Sequence, residues 1–403
     1  MNPDSNEHSL PVESLPQAQE APSGGRASSF CLPTHTVDAL ITAKASVLEI
    51  AGCLSLAAFT DSTGQFSTAS TNATYQRMPS GWTTAKKALE QLCKREAQGR
   101  PLVSTAAAYT AATGQVPVDG PVPHAKVRYV LETFGEAMED RVWFGKGLVQ
   151  GFGEFANPLG KLADAGPLAM RLLLLLYRQH EIQEWIGVPP ATTLHTSFSP
   201  MEDREPVGHG FHLIRYKRGH CVPNWSIVDS LVNEGGTERD RWNAFHGALQ
   251  ALIAMGLVYE STFVVNRAPL ALKDTDGVVR AYRVPEDAQP LYLLSTQNGF
   301  GYKQRGEEGI GGLTARLAGE LRLPVATKGG IFDGAYAALE PPGSRFGITG
   351  VYRLRFRPSN AKNAGVRDAW ARLLGREREA VAEIELLRLR LGMRPAMPVR
   401  TAA

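Results

Sequence analysis

The segment from Trp82 to Arg95, WTTAKKALEQLCKR, combines residue types and spacing that suit contact with a polyanion. Ala85, Ala88, Leu89 and Leu92 recur at three- and four-residue steps, so they form one apolar stripe while Thr83, Lys86, Lys87, Gln91 and Lys94 face elsewhere. An α-helix fits the DNA major groove; short polar residues near its N-terminal end reach base edges and lysines meet phosphates. Thr83, Lys86 and Lys87 stand where that chemistry needs them, with Trp82 covering a base or sugar and Lys94, Arg95 and Arg100 nearer the backbone. Ser80 or Gly81 is the expected helix cap, and Ser80 joins the candidate DNA-binding set. The competing account is an ordinary solvated face of a packed helix. A second basic set, Arg353, Arg355 and Arg357, alternates along a strand that begins at Ile348, so all three share one face and can clamp phosphates.

Other chemistry finds less support. His209, His212, His220 and Cys221 are zinc-compatible groups in HGFHLIRYKRGHC, but their spacing matches no familiar finger, and satisfied or exposed histidines are the expectation. Arg215, Lys217 and Arg218 make the same stretch a phosphate-contact candidate. The glycines of Gly145 to Gly153 and Gly306 to Gly312 are not followed by Gly-Lys-Ser or Gly-Lys-Thr, so loop or packing roles are expected. No GxSxG, HExxH or kinase set occurs. The expectation is a non-enzymatic protein with no catalytic residue, no metal and no cofactor.

Charge is unevenly spread over the 403 residues. The chain carries a formal +3 and 43% hydrophobic residues, which suits a globular protein with two or three cores. From Pro341 onward thirteen Lys and Arg stand against five Asp and Glu, a net +8, so the rest of the chain is on balance acidic. No apolar run approaches the roughly 20 residues that span a bilayer, and the N-terminal stretch lacks the basic and apolar regions of a signal peptide. Cys31, Cys53, Cys93 and Cys221 show no CxxC spacing. A cytoplasmic protein with reduced thiols and no membrane partner is expected.

The elements that must position these groups follow from periodicity. Residues 1–36, rich in Pro, Ser, Glu and Gln, are expected as a flexible leader. From Val37 a helix pattern runs through Leu40, Val47, Leu48, Ala51, Leu54 and Ala58 to near Thr60. A short helix around Thr71 to Met78, the basic helix and two strands at Pro101 to Val103 and Lys126 to Leu131 follow, with a small-residue insert from Ser104 to Pro123 between the strands. Residues 145–166 are expected as a linker. Helices at Pro167 to Trp185, Trp225 to Val232 and Arg239 to Met255, a strand at Phe211 to Lys217, and later strands at Val258 to Val265, Val278 to Val284 and Leu291 to Ser295 suggest a second helix-then-wing unit over 167–300. A basic region, 301–403, closes the chain with a helix at Leu313 to Leu321, the arginine strand and a long helix from Val366 to Leu391 that Gly375 interrupts. That helix can pack on its own domain or pair with its twin in a homodimer.

The order helix, short helix, turn, basic helix and hairpin over residues 38–135, with TTAKKALEQL as its centre, resembles winged helix-turn-helix DNA-binding proteins. The arrangement of DRVWFGKGLVQGF followed by PLAMRLLLLLYRQH is similar to replication-associated proteins of bacterial plasmids, phages and integrative elements. The resemblance implies an α+β, mainly helical fold with two winged-helix-like units, 37–144 and 167–300, plus a C-terminal strand and long helix. It further implies sequence-specific binding of double-stranded DNA for replication initiation or transcriptional control of a mobile element. The alternative from another class is an interaction adaptor built on winged-helix folds. In the second unit Asp240, Arg241, Asn243, His246 and Gln250 are only weakly basic, so a packing or dimerisation role stands beside a second reader.

Overall fold

The computed structural model describes residues 29–78, 80–117, 127–151, 158–181, 184–191, 193–232, 236–296, 335–356 and 363–393, with 313–314, 317, 320–321 and 331–332. The first described strand, β1 (Ser29–Leu32), is fully buried and pairs antiparallel with Val142–Gly145. Burial of Phe30 and Leu32 therefore orders the last residues of the expected leader, and residues 1–28 lie outside the described set. The helix expected from Val37 to Thr60 is two helices, α1 (Thr34–Thr42) and α2 (Val47–Ala57). Lys44 takes a positive φ of 48° between them, and Ser46 with Glu49 forms a reciprocal capping box that starts α2 afresh.

Next come β2 (Phe66–Ser67), α3 (Thr71–Tyr75), α4 (Trp82–Leu92), the two-residue strands β3 (Glu96–Ala97) and β4 (Arg100–Pro101), and β5 (Val103–Thr105). The expected insert opens with a helix, α5 (Ala106–Thr113), capped by Thr105 and ended by Gly114 in the left-handed region. Then β6 (Tyr129–Leu131) pairs with both β2 and β5, giving a three-stranded sheet in the order β2, β6, β5 beside the helices.

The expected linker is packed structure. After β7 (Val142–Gly145), the partner of β1, it holds α6 (Gly147–Gln150) and α7 (Pro158–Asp164), which bury Leu148, Val149, Leu159 and Leu162. The leucine-rich α8 (Pro167–Gln179) is apolar almost all round and lies at the centre of the helical core.

Beyond it the chain departs from a helix-wing unit. β8 (Leu194–Gly208) and β9 (Phe211–Pro223) make one long hairpin, α9 (Trp225–Leu231) and α10 (Glu238–Ala254) follow, and β10 (Val258–Val265) is buried throughout. β11 (Leu270–Lys273) and β12 (Val279–Arg283) form a separate hairpin, so the strand at 278–284 does not pair with β10. The remaining strands are β13 (Pro290–Thr296), β14 (Ile331–Phe332), β15 (Ala335–Glu340) and β16 (Gly347–Leu354), followed by the C-terminal helix Asn363–Arg390. Seven strands unite in an antiparallel sheet of order β13, β10, β16, β8, β9, β15, β14, so the expected boundary at 300/301 runs through one sheet. The fold is mixed α and β, 41% helical and 29% strand, rather than mainly helical.

Apolar packing ties these parts together. One core joins α1, α2, α4, α8, α9 and α10 and continues onto the sheet through Leu194, Cys221, Val258, Tyr352 and Leu354. A second cluster covers Phe198, Leu213, Tyr216, Val264 and Ile348 with Ile384 and Leu387 of the C-terminal helix. Val264 belongs to it while Phe263 and Val265 join a third cluster with Ala369 and Leu373, as alternation along a strand requires. Gly375 does not interrupt that helix.

Candidate nucleic-acid interface

Helix α4 is held from behind and open in front. Ala85, Ala88, Leu89 and Leu92 are buried against α2 and α3, and Leu89 reaches Gly52 of α2, where an added Cβ would lie 3.0 Å from Leu89 Cδ2. Trp82, Thr83, Thr84, Lys86, Lys87, Glu90 and Gln91 are exposed, Trp82 by 48%. The Lys86 ammonium sits 5.6 Å from the Trp82 ring centroid and 3.9 Å from Glu90, an exposed (i, i+4) pair that water screens. Gly81, not Ser80, is the N-cap, and no side chain caps the first turn; the Ser80 hydroxyl is buried. The leading amides of α4 therefore face outward with the positive end of the helix dipole.

Two neighbours extend this surface. Lys94 is exposed just past α4, and Arg100 is exposed with Nη1 3.6 Å from Glu132 Oε1. Arg128, at the entrance to β6, is exposed as well and was missed in the sequence, although it lies inside the strand-like KVRYVL. A basic residue beside a hairpin strand is the signal that would have found it.

Arg95 does something else. Its Nε donates to Glu49 Oε1 at 2.5 Å, its Nη2 to Glu49 Oε2 at 3.0 Å and its Nη1 to the Ala43 carbonyl at 3.0 Å. The guanidinium thus fastens the end of α4 to the start of α2 with three of its five donors. Burial pushes the Glu49 carboxyl upward, but hydrogen bonds from Arg95 and Ser46 more than offset this and leave it below the ordinary 4.5.

The arginine clamp does not form. Arg353 is only 1% exposed: its Nε donates to the Ile186 carbonyl at 2.7 Å and its guanidinium lies 4.7 Å from the Trp370 ring centroid. It faces the interior because β16 is central and both its faces are covered. Arg355 is half-buried past the end of the strand, its amide donating to Leu257, and Arg357 lies outside the described residues.

The zinc-compatible residues are dispersed. His209 occupies the turn of the long hairpin at a φ of 51°, and His212 and His220 stand at opposite ends of β9, about 26 Å apart by strand rise. No group of three or more metal-ligating side chains occurs among the described residues. Burial pushes the thiols of Cys53 and Cys221 up to about 12, which removes the thiolate that nucleophilic chemistry needs. No helix among the described residues is long and apolar enough to cross a membrane. Comparison with protein-family models, curated proteins and solved structures finds no match to this chain.

Proposed function

We propose that residues 37–144 act as a winged helix-turn-helix unit that binds double-stranded DNA through α4, in a cytoplasmic protein serving replication initiation or transcriptional control of a mobile element. The observation that carries this reading is the division of α4: four apolar residues fixed against α2 and α3, and an outer face of Trp82, Thr83, Lys86 and Lys87 left to solvent beside uncapped amides. Short polar groups near the start of the helix suit base edges, and the lysines, Arg100 and Arg128 suit phosphates. The small antiparallel sheet of β2, β6 and β5, which follows α4 in the chain through β5 and β6, supports the reading as the candidate wing.

Selection of bound fragments from a random duplex library tests the reading. Enrichment of a defined motif is expected, symmetric for a dimeric reader and directly repeated for an initiator. Replacing Lys86 and Lys87 together by Ala should weaken binding and lower the salt slope by about two, one for each phosphate that a lysine no longer neutralises. Unchanged binding by that double variant removes α4 from the reader's role. The exposed Trp82 also favours a second reading, since tryptophan is the residue type that anchors protein interfaces. An adaptor of that kind would ignore duplex DNA and co-purify with a partner, and Trp82→Ala would abolish the co-purification.

A further inference from the structure

A cluster of rings lies away from α4, where the long hairpin meets α9 and α10. His220 of β9, Trp225 at the start of α9, and Trp242 and His246 one turn apart on α10 converge there. The Trp225 and Trp242 centroids are 5.3 Å apart, His246 lies 4.3 Å from Trp242, and His220 meets Trp242 edge-on at 5.7 Å. The inner side is closed by Phe245, buried and edge-on to His246 at 5.6 Å. The outer side is open, with His220 exposed and Trp225 38% exposed.

The backbone turns His220 toward these rings. Thr196 pairs with Cys221 and Phe198 with Arg218, so β9 uses three residues where β8 uses two. This is a β-bulge at Gly219 and His220, a device that re-aims a side chain. Burial and the neighbouring His220 hold the His246 imidazole below the ordinary histidine range, and its Nε2 is buried with no hydrogen-bond partner among the described residues. His246 thus serves as a neutral flat ring and not through its nitrogens.

The surrounding charge selects among ligands that bind aromatic faces. Arg218, two residues before His220, holds Glu260 at 2.7 Å yet keeps its side chain 39% exposed. Lys217 is exposed, and Arg241, next to Trp242 in the chain, pairs with Asp229 at 2.5 Å. Glu260 and Asp229 balance the two arginines, so the excess charge is that of Lys217; it opposes an ammonium ligand in the rings and favours a planar group that carries negative charge. We propose that His220, Trp225 and Trp242 form a stacking site for the bases of single-stranded nucleic acid, with Lys217 supplying charge for its phosphates. This activity is separate from duplex reading by α4 and does not depend on it.

The test titrates the full chain with an oligothymidylate of about twelve nucleotides, within the span of known single-strand sites. Tryptophan fluorescence and the anisotropy of the labelled strand are read together. Quenching on binding is expected, with Trp225→Ala weakening affinity about tenfold, the order of one lost base stack, and Trp225→Phe retaining most of it. His220→Ala is the second variant should Trp225→Ala fail to fold, and it should also weaken binding. The Lys86→Ala, Lys87→Ala protein should bind the single strand as the parent does, whatever its duplex affinity. Absence of quenching in the parent, or parent-like binding by the folded ring variants, overturns the proposal. So does quenching by a trimethyl-lysine peptide in place of the oligonucleotide, or weakening confined to the lysine variant.

Discussion

Arg95 and Arg353 show how far an arginine's neighbours decide its task. Both look like phosphate contacts in a linear reading, yet Arg95 is bound to Glu49, 46 residues away, and Arg353 to Ile186, 167 residues away. Separations of that size leave no trace in local spacing. Lys86 and Lys87, whose position follows from the helix stripe alone, are exposed as that stripe requires. Glu49 is nearly buried, so Glu49→Ala leaves Arg95 without its carboxylate and should cost about 3 kcal/mol in denaturant unfolding. The pH dependence has a definite sign. Because the folded carboxyl is held below its ordinary 4.5, its contribution is complete above that value and is lost as pH falls through the lower folded value. Glu136 adds the same trend: burial raises its carboxyl, but the amide and side chain of His35 and the Thr34 amide pull it further down. Thermal melts between pH 6 and 3, a range set around the ordinary carboxylate values, should show falling stability, less steep in Glu49→Gln.

At the scale of elements, the contact of α4 with α2 is the joint on which the proposed interface depends. Gly52 gives Leu89 room, so Gly52→Val should push α4 outward, and Leu89→Ala should open a cavity costing about 3 kcal/mol. Both changes leave the outer residues of α4 intact; reduced duplex binding together with lowered melting temperature is the expected result. Helix α4 was legible because its stripe is short and clearly bounded. The break between α1 and α2 was obscured because Leu40 and Val47 keep helical phase across it, although Ser46 and Glu49 carry the capping signal. The large sheet was least legible. Sequence-adjacent strands usually pair, but β16 inserts between β10 and β8, and the β11–β12 hairpin lies against β8, the Tyr282 amide donating to Ser197 Oγ at 3.1 Å, without joining the larger sheet's ladder.

For the whole molecule, helical core and sheet are one packed body, not two units joined by a linker. Phe356, just past β16, packs on Gly147, where an added Cβ would lie 2.5 Å from its ring, and its carbonyl accepts from Tyr177 Oη at 2.6 Å and from the Gly145 amide at 3.3 Å. Gly147→Ala should therefore cost about 2 kcal/mol through overpacking, and calorimetry should show one transition moved down in temperature, not two separated. Net charge was a poor guide at this scale: the basic C-terminal region spends Arg353 inside the sheet and Arg388 on Glu320 and Glu385. The central place of β16 also sets an order of assembly. It is the last described strand to leave the ribosome, yet the ladders of β10 and β8 join only through it. Until residues 347–354 emerge, the growing chain carries two unfinished ladders with open edges, the kind of surface that recruits chaperones or aggregates.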